Sequence, residues 1–256
     1  MQINNKKRLL LIVIVITFLL SPFLINNNDG LIHSNGYILI YHILISLLHL
    51  DLSFKTISLA VISTIRTLSY AIAGSILAII IGFILGVLSS NVLITNRLIS
   101  NLFKNILEVM RTIHELVWAW LLVSAFGLSP FSGIFAIAIP YGGILGRIYC
   151  NYFNSVPKEP IFSLKNSGAS KLQCLFYGYI PIIKADILSY TLYRFECAVR
   201  SSTVMSFVGL GGLGYQIQLS LDDLNFNKAW TYILFLVILV YLIDLWSSAI
   251  RKRLVK

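Results

Sequence analysis

The 31 residues from Leu116 to Gly146 carry no charged side chain, and Tyr70 to Leu88 form a second uncharged run. A helix crosses the hydrocarbon of a bilayer with about 20 predominantly apolar residues. The longer run is therefore too long for one crossing, and it is punctuated near its middle by Gly127-Leu-Ser-Pro130-Phe-Ser-Gly133. Two helices joined by a tight turn account for it. Charged residues make up only 12% of the chain and apolar residues 57%, with a mean hydropathy of +0.84, whereas soluble domains are typically about 25% charged. The expected fold class is an all-α integral membrane protein, with room in 256 residues for five to seven crossings and no separate soluble domain.

Lys6-Lys7-Arg8 precedes an apolar run from Leu9 to Ile25, with no small-x-small cleavage site after it. That layout predicts a retained anchor. Asn26 to Asp29 reads as its exit loop. Gly36 to Leu50 is uncharged but short and contains His42 and His49, which leaves open a shallow membrane helix or an interfacial segment. Arg251-Lys252-Arg253 lies near the other terminus. With both termini in the cytoplasm the number of crossings is even. Six fit, at about 9–25, 64–89, 106–127, 131–150, 182–208 and 229–249, forming a polytopic helical bundle. This places Arg97, Lys104, Lys158, Lys165 and Lys171 inside, as the positive-inside rule requires. Residues 1–56 then form an N-terminal anchor and outer segment, 57–250 the transmembrane domain with a cytoplasmic loop at 155–181, and 251–256 a basic tail.

Orientation in the membrane accounts for the formal charge of +10. The basic residues fall mainly at the ends and in loops, without the aromatic interleaving of a single-strand binder, so nucleic acid is not expected as a partner. Cys150, Cys174 and Cys197 lie far apart and form no disulfide or metal framework. His114-Glu115-Leu-Val-Trp118 misses the HExxH zinc pattern because tryptophan stands at the second histidine. No metal site and no catalytic group are expected.

Residues 151 to 181 form a long segment carrying Lys165 and Lys171, which must lie in water. Gly168 lets the backbone turn without a Cβ penalty, and Ser167 or Ser170 can cap the helix that follows. Leu172, Leu175 and Phe176 form an apolar face of the kind a helix needs to dock in a groove. The segment resembles the coupling loop of ATP-binding-cassette (ABC) importer permeases of type I. That family's loop opens with an acidic-Ala-Ala triplet, has a glycine four residues after the second alanine, and a proline thirteen residues beyond the glycine. Gly168 (followed by Ala169) and Pro181 hold this spacing, whereas Phe162-Ser163-Leu164 replaces the triplet. Glu159, three residues earlier, is the available acid.

Downstream, Leu188 to Thr203 leads into Val208-Gly-Leu-Gly-Gly-Leu-Gly214, and upstream Arg111-Thr-Ile-His-Glu-Leu-Val-Trp118 precedes the Gly127–Gly133 turn. Together these are similar to the phosphonate-type permease subgroup, over about residues 60 to 250. The resemblance implies a transport subunit of the bacterial cytoplasmic membrane, working by alternating access as a self-dimer. It further implies a cytoplasmic ATPase dimer that binds ATP and Mg, an extracytoplasmic solute-binding protein, and a small anionic cargo such as phosphonate, phosphite or phosphate. The chain itself would hold no cofactor. A permease for another small solute, or a stand-alone secondary transporter, is the alternative.

Ionisable groups at membrane depth face a protein interior or a watery path. Arg194, Glu196 and Arg200 share one predicted span, where Glu196 and Arg200 are spaced to pair and either arginine can instead contact an oxyanion. Ser201, Ser202 and Thr203 add hydroxyls to a candidate path. Arg111, His114 and Glu115 form a second polar group, with Arg111 and Glu115 also spaced to pair. Gly209, Gly211, Gly212 and Gly214 read as a candidate gate or hinge rather than a nucleotide loop, because no Gly-Lys-Ser/Thr occurs. Gly82-xxx-Gly86 and Gly142-xxx-Gly146 allow close helix contact, within the chain or across a dimer.

Overall fold

The computed structural model describes residues 2–24, 36–93 and 96–254. The chain divides into two compact units, Met1–Leu48 and His49–Lys256. The first holds α1 (Gln2–Leu24) and α2 (Gly36–Ser46). At 11 residues α2 is too short to cross a bilayer. The predicted exit loop at 26–29 lies outside the described residues.

Every regular element of the second unit's described residues is a helix. Its first helix, α3 (Phe54–Ser89), is opened by Ser53, whose side chain accepts from the Thr56 amide. Asp51 fixes this end: its Oδ1 accepts from the Ser53 amide at 3.0 Å and its Oδ2 from the Thr56 hydroxyl at 2.9 Å. The Asp51 carbonyl accepts from Thr231 at 3.1 Å, tying α3 to α11 (Phe226–Leu254). The buried stripe of α3 consists largely of small residues, among them Ala60, Ala71, Gly74, Ala78, Gly82 and Gly86, while Ile72, Ile76, Ile80 and Ile84 are exposed. This inverts the pattern of a soluble helix and suits a helix whose outer face meets lipid.

The partner of that stripe is α6 (Pro130–Ser155), itself small-faced through Gly133, Ala136, Gly142 and Gly146. A Cβ on Gly82 would lie 2.9 Å from the Leu145 Cβ and 3.1 Å from the Gly142 carbonyl oxygen. One on Gly86 would lie 3.0 Å from the Gly146 carbonyl oxygen. The two glycine pairs therefore meet each other inside one chain. On its other side Gly146 receives Leu107 of α4 (Arg97–Thr112), which is fully buried.

The crossing expected as one helix at 106–127 is broken. Helix α4 ends at Thr112 and α5 runs from Glu115 to Phe126. His114 causes the break: its backbone is extended, and its Nδ1 accepts from the Leu116 amide at 3.2 Å, capping a new helix. The Trp118 indole donates back to the Met110 carbonyl at 3.4 Å and closes the corner. The Leu116–Gly146 run divides into α5 and α6 at the Gly127–Ser129 turn, where the Ser129 side chain caps α6 and Pro130 begins it. Beyond α6 come α7 (Lys158–Asn166) and α8 (Lys171–Gln173). Helix α8 continues through a π-turn (Cys174–Tyr179) into α9 (Ile180–Met205). A second π-turn (Ser206–Leu210) leads to α10 (Leu213–Asp222) and α11. Among the described residues α3, α6 and α11 are long and apolar enough to cross a membrane.

Two outcomes follow from this packing. Gly82→Val should lower stability by about 1–3 kcal/mol through overpacking, whereas Ile80→Val on the exposed face should change it little; thermal unfolding in detergent separates them. Hydrogen bonds to Ser53 and Thr56 hold the Asp51 carboxyl below its ordinary value of 3.8. Its contribution is thus present above that value and lost as pH falls through the lower folded value. Asp51→Asn should flatten that acid-side loss in a melting curve series.

Candidate functional site

The loop between α6 and α9 is built by two local devices. Helix α7 ends in a Schellman arrangement: the Gly168 amide donates to the Lys165 carbonyl at 3.0 Å and the Ala169 amide to the Leu164 carbonyl at 3.1 Å. Gly168 has φ +85°, which a side chain would disfavour, and a Cβ there would touch nothing within 4 Å. Helix α8 starts with a capping box. Ser170 Oγ accepts from the Gln173 amide at 3.3 Å, and Gln173 Oε1 accepts from the Ser170 amide at 2.7 Å. Of the two serines expected as caps, Ser170 opens the next helix while Ser167 closes the previous one, its hydroxyl donating to the Ser163 carbonyl at 3.0 Å.

Leu172 and Phe176 are exposed, joined by Tyr177 at 76% exposure, while Leu175 is 4% exposed and packs in the core. The expected three-residue face is thus two residues plus Tyr177, because Leu175 stands about 100° round the helix from Phe176, on the side packed in the core. Glu159 is exposed in the first turn of α7, and Pro181 stands in the first turn of α9.

A second site lies on α9. Glu196 is buried, and both of its oxygens are engaged: Oε1 with Arg200 at 2.5 Å and Oε2 with Arg251 of α11 at 3.4 Å. Arg194 turns elsewhere. Its guanidinium donates to the Tyr190 hydroxyl at 2.9 and 2.8 Å and stacks 5.3 and 5.6 Å from the Tyr190 and Tyr193 ring centres. Arg200 lines a cavity of about 620 Å³ between α9, α10 and α11, together with Glu196, Thr203, Tyr241, Asp244 and a set of aliphatic side chains.

Ser201 joins three helices, donating to Glu115 Oε1 at 2.7 Å and lying 2.8 Å from the Tyr141 hydroxyl. Ser202 and Thr203 are buried with their hydroxyls on the Val199 carbonyl. The expected Arg111–Glu115 pairing is not found. Arg111 pairs with Glu108 one turn earlier on α4, its Nε donating at 2.7 Å, since the break at His114 puts Glu115 on another helix. His114 Nε2 lies 3.8 Å from Glu115.

At the far end of α9, Gly209, Gly211 and Gly212 have φ of 90°, 78° and 105°, values that suit glycine. The turn is pinned to α3, with the Tyr70 hydroxyl donating to the Leu210 carbonyl at 3.1 Å and the Leu213 amide to Thr67 Oγ1 at 2.9 Å. Gly214 lets α10 approach α9, since a Cβ there would overlap the Thr203 carbonyl oxygen. Reasoning from sequence missed Arg251 and Asp244. The signal for Asp244 was present as a lone carboxylate in the last apolar run, whereas Arg251 stands in a basic cluster that gives no sign of its distant partner.

Residues 78–256 match the family described as binding-protein-dependent transport system inner membrane component. The chain is 33% identical to the putative phosphite transport system permease protein HtxC of Stutzerimonas stutzeri, over 73% of this chain and 66% of that protein. It is 26% identical to the phosphite transport system permease protein PtxC of the same organism, over 74% of this chain and 69% of the relative. The match to the putative cryptic phosphonate transport system permease protein PhnE2 of Escherichia coli K12 is 30%, over 47% of this chain and 98% of the relative. The chain thus spans about two thirds of the length of the first two relatives. Among solved structures, an inward-facing MetNI methionine ABC transporter chain aligns with TM-score 0.70 at 20% identity, over 79% of this chain and 99% of that one. This likeness identifies the fold as that of type I ABC importer permeases.

Breaking a buried ion pair from one side costs about 3–5 kcal/mol when both partners are buried. Glu196→Ala should destabilise most, Arg251→Ala less, and Arg200→Ala least, because the Arg200 side chain is 55% exposed against 25% for Arg251. Melting temperatures of the three purified variants test that order.

Proposed function

Because the chain belongs to the family of binding-protein-dependent transport system inner membrane components, we propose that it is the membrane-spanning subunit of an ATP-driven importer of a small phosphorus oxyanion in the bacterial inner membrane. Phosphite, phosphonate and phosphate are the cargo class, supported by the names of the relatives above. Two copies enclose the path about a two-fold axis. A separate cytoplasmic ATPase dimer binds ATP and Mg and performs the hydrolysis, and a soluble receptor outside delivers the anion. This chain contributes the path and the mechanical link.

One observation carries that link. The helix presenting Leu172, Phe176 and Tyr177 runs without interruption from Lys171 through the π-turn into α9, which bears Arg194, Glu196 and Arg200. A push on the 155–181 loop by the ATPase is therefore a push on the helix that holds the charged cluster. Movement of α9 switches the access of the path between the two sides. Arg200 offers a guanidinium fork to the passing oxyanion, and the Gly209–Gly212 turn serves as the outer gate.

The test is co-purification of the chain with its ATPase. Gly168→Pro forces φ from +85° to about −65° and removes the amide that closes α7, while nothing packs on that residue. Loss of the ATPase at least tenfold, with the variant still folded, is the expected outcome. An undiminished complex, or no ATPase bound to either form, overturns the reading.

A further inference from the structure

A cavity of about 470 Å³ lies where the loop ends of α3 and α6 meet α7, lined by Asn91, Asn154, Phe153, Tyr179, Lys158 and Lys165 among others. Its floor is aromatic. Phe153 packs edge-on against Phe83 with centroids 6.2 Å apart and against Tyr179 at 6.4 Å. Val156 and Ile161 are buried beside it. Its rim is cationic: Lys158 and Lys165 both line it, two turns apart on α7 and so on one face. Both lysines are exposed, and neither takes part in an ion pair among the described residues. The cavity sits just past Ser89 and beside Ser155, the last residues of two helices long and apolar enough to cross a membrane. With its lysines and asparagines, this end of the two helices lies outside the hydrocarbon. Helix α4 starts from the same end with Arg97, its Ser100 hydroxyl donating to the Ser89 carbonyl at 2.7 Å.

We propose that this cavity binds the phosphate headgroup of an anionic phospholipid from the leaflet at the loop end, with Lys158 and Lys165 holding the phosphate and the aromatic floor taking the glycerol and first acyl carbons. Aromatic side chains beside two lysines at the loop end of membrane helices match an amphiphile with a negative head, since anionic lipid is drawn to basic pockets between membrane helices. The site shares the 155–181 loop with the importer reading but does not rest on that reading. Its occupancy bears on that reading, however, because α7 forms one wall and leads directly to Gly168. A lipid held there braces the loop.

The test uses the full chain alone in detergent, titrated with short-chain phosphatidylglycerol or with phosphatidylcholine of equal chain length, and read by native mass spectrometry. Phosphatidylglycerol should bind preferentially. Lys158→Gln with Lys165→Gln should weaken it roughly fivefold per lysine, on the order of twentyfold together, while Lys252→Gln with Arg253→Gln should stay within about twofold. Equal binding of the two lipids by wild type, a measurement that needs no variant, overturns the proposal. So does retention of phosphatidylglycerol by the double-lysine variant, or its displacement by inorganic phosphate alone, which would assign the lysines to a free oxyanion. If added ATPase expels the lipid from wild type and fails to bind the double-lysine variant, the cavity belongs to the protein partner and the lipid assignment falls. The complex tested with Gly168→Pro is read independently of each of these results.

Discussion

The contact between α3 and α6 is the constraint on which the rest of the second unit depends. Lipid tails are as apolar as leucine, so helices in a bilayer gain little by burying large side chains and must gain by close packing instead. Gly82 and Gly86 lie against Gly142 and Gly146, where a Cβ on Gly82 or Gly146 would overlap its neighbours and one on Gly86 or Gly142 would crowd them. Once that approach is fixed, Gly146 also receives Leu107, which fixes α4, and α9 closes over both helices. The large isoleucines of α3 are left outside, where they meet lipid at no loss.

Polar groups then specify what small residues cannot. A glycine seam permits sliding, but a hydrogen bond between side chains does not. Ser201 connects α9 to α5 through Glu115 and to α6 through Tyr141, and Glu196 connects α9 to α11 through Arg251. Helix α9 is therefore held at one residue after another on neighbouring helices and bears the charged residues near them. The turn at Gly209–Gly212 is fastened in the same way to Thr67 and Tyr70 of α3.

Much of this was legible in the sequence, because the physics that builds a membrane helix is written in local composition. The division of the Leu116–Gly146 run, the turn at Gly168 and the glycine pairs all depend on residue types close to one another in the chain. The break at His114 was not legible by hydropathy, since an imidazole nitrogen capping a helix leaves no mark on an apolar average. The partner of Arg111 was misplaced for the same reason: spacing along one helix has no meaning across a break. Leu175 leaves the exposed face because it stands about 100° round the helix from Phe176, and only the fold decides which side of that step meets the core. Arg251 could not be foreseen, as its partner Glu196 lies 55 residues away and only the fold brings them together.

The π-turn at Cys174–Tyr179 has a consequence of phase. An i→i+5 turn carries one residue more than an α-turn, and each residue of an α-helix accounts for about 100° of rotation. The azimuth at which Leu172 and Phe176 point is therefore offset from the azimuth at which α9 meets its neighbours. Deleting one residue there would keep the residues of both ends while rotating one end against the other by about 100°, a misalignment that no inventory of contacts at either end would reveal.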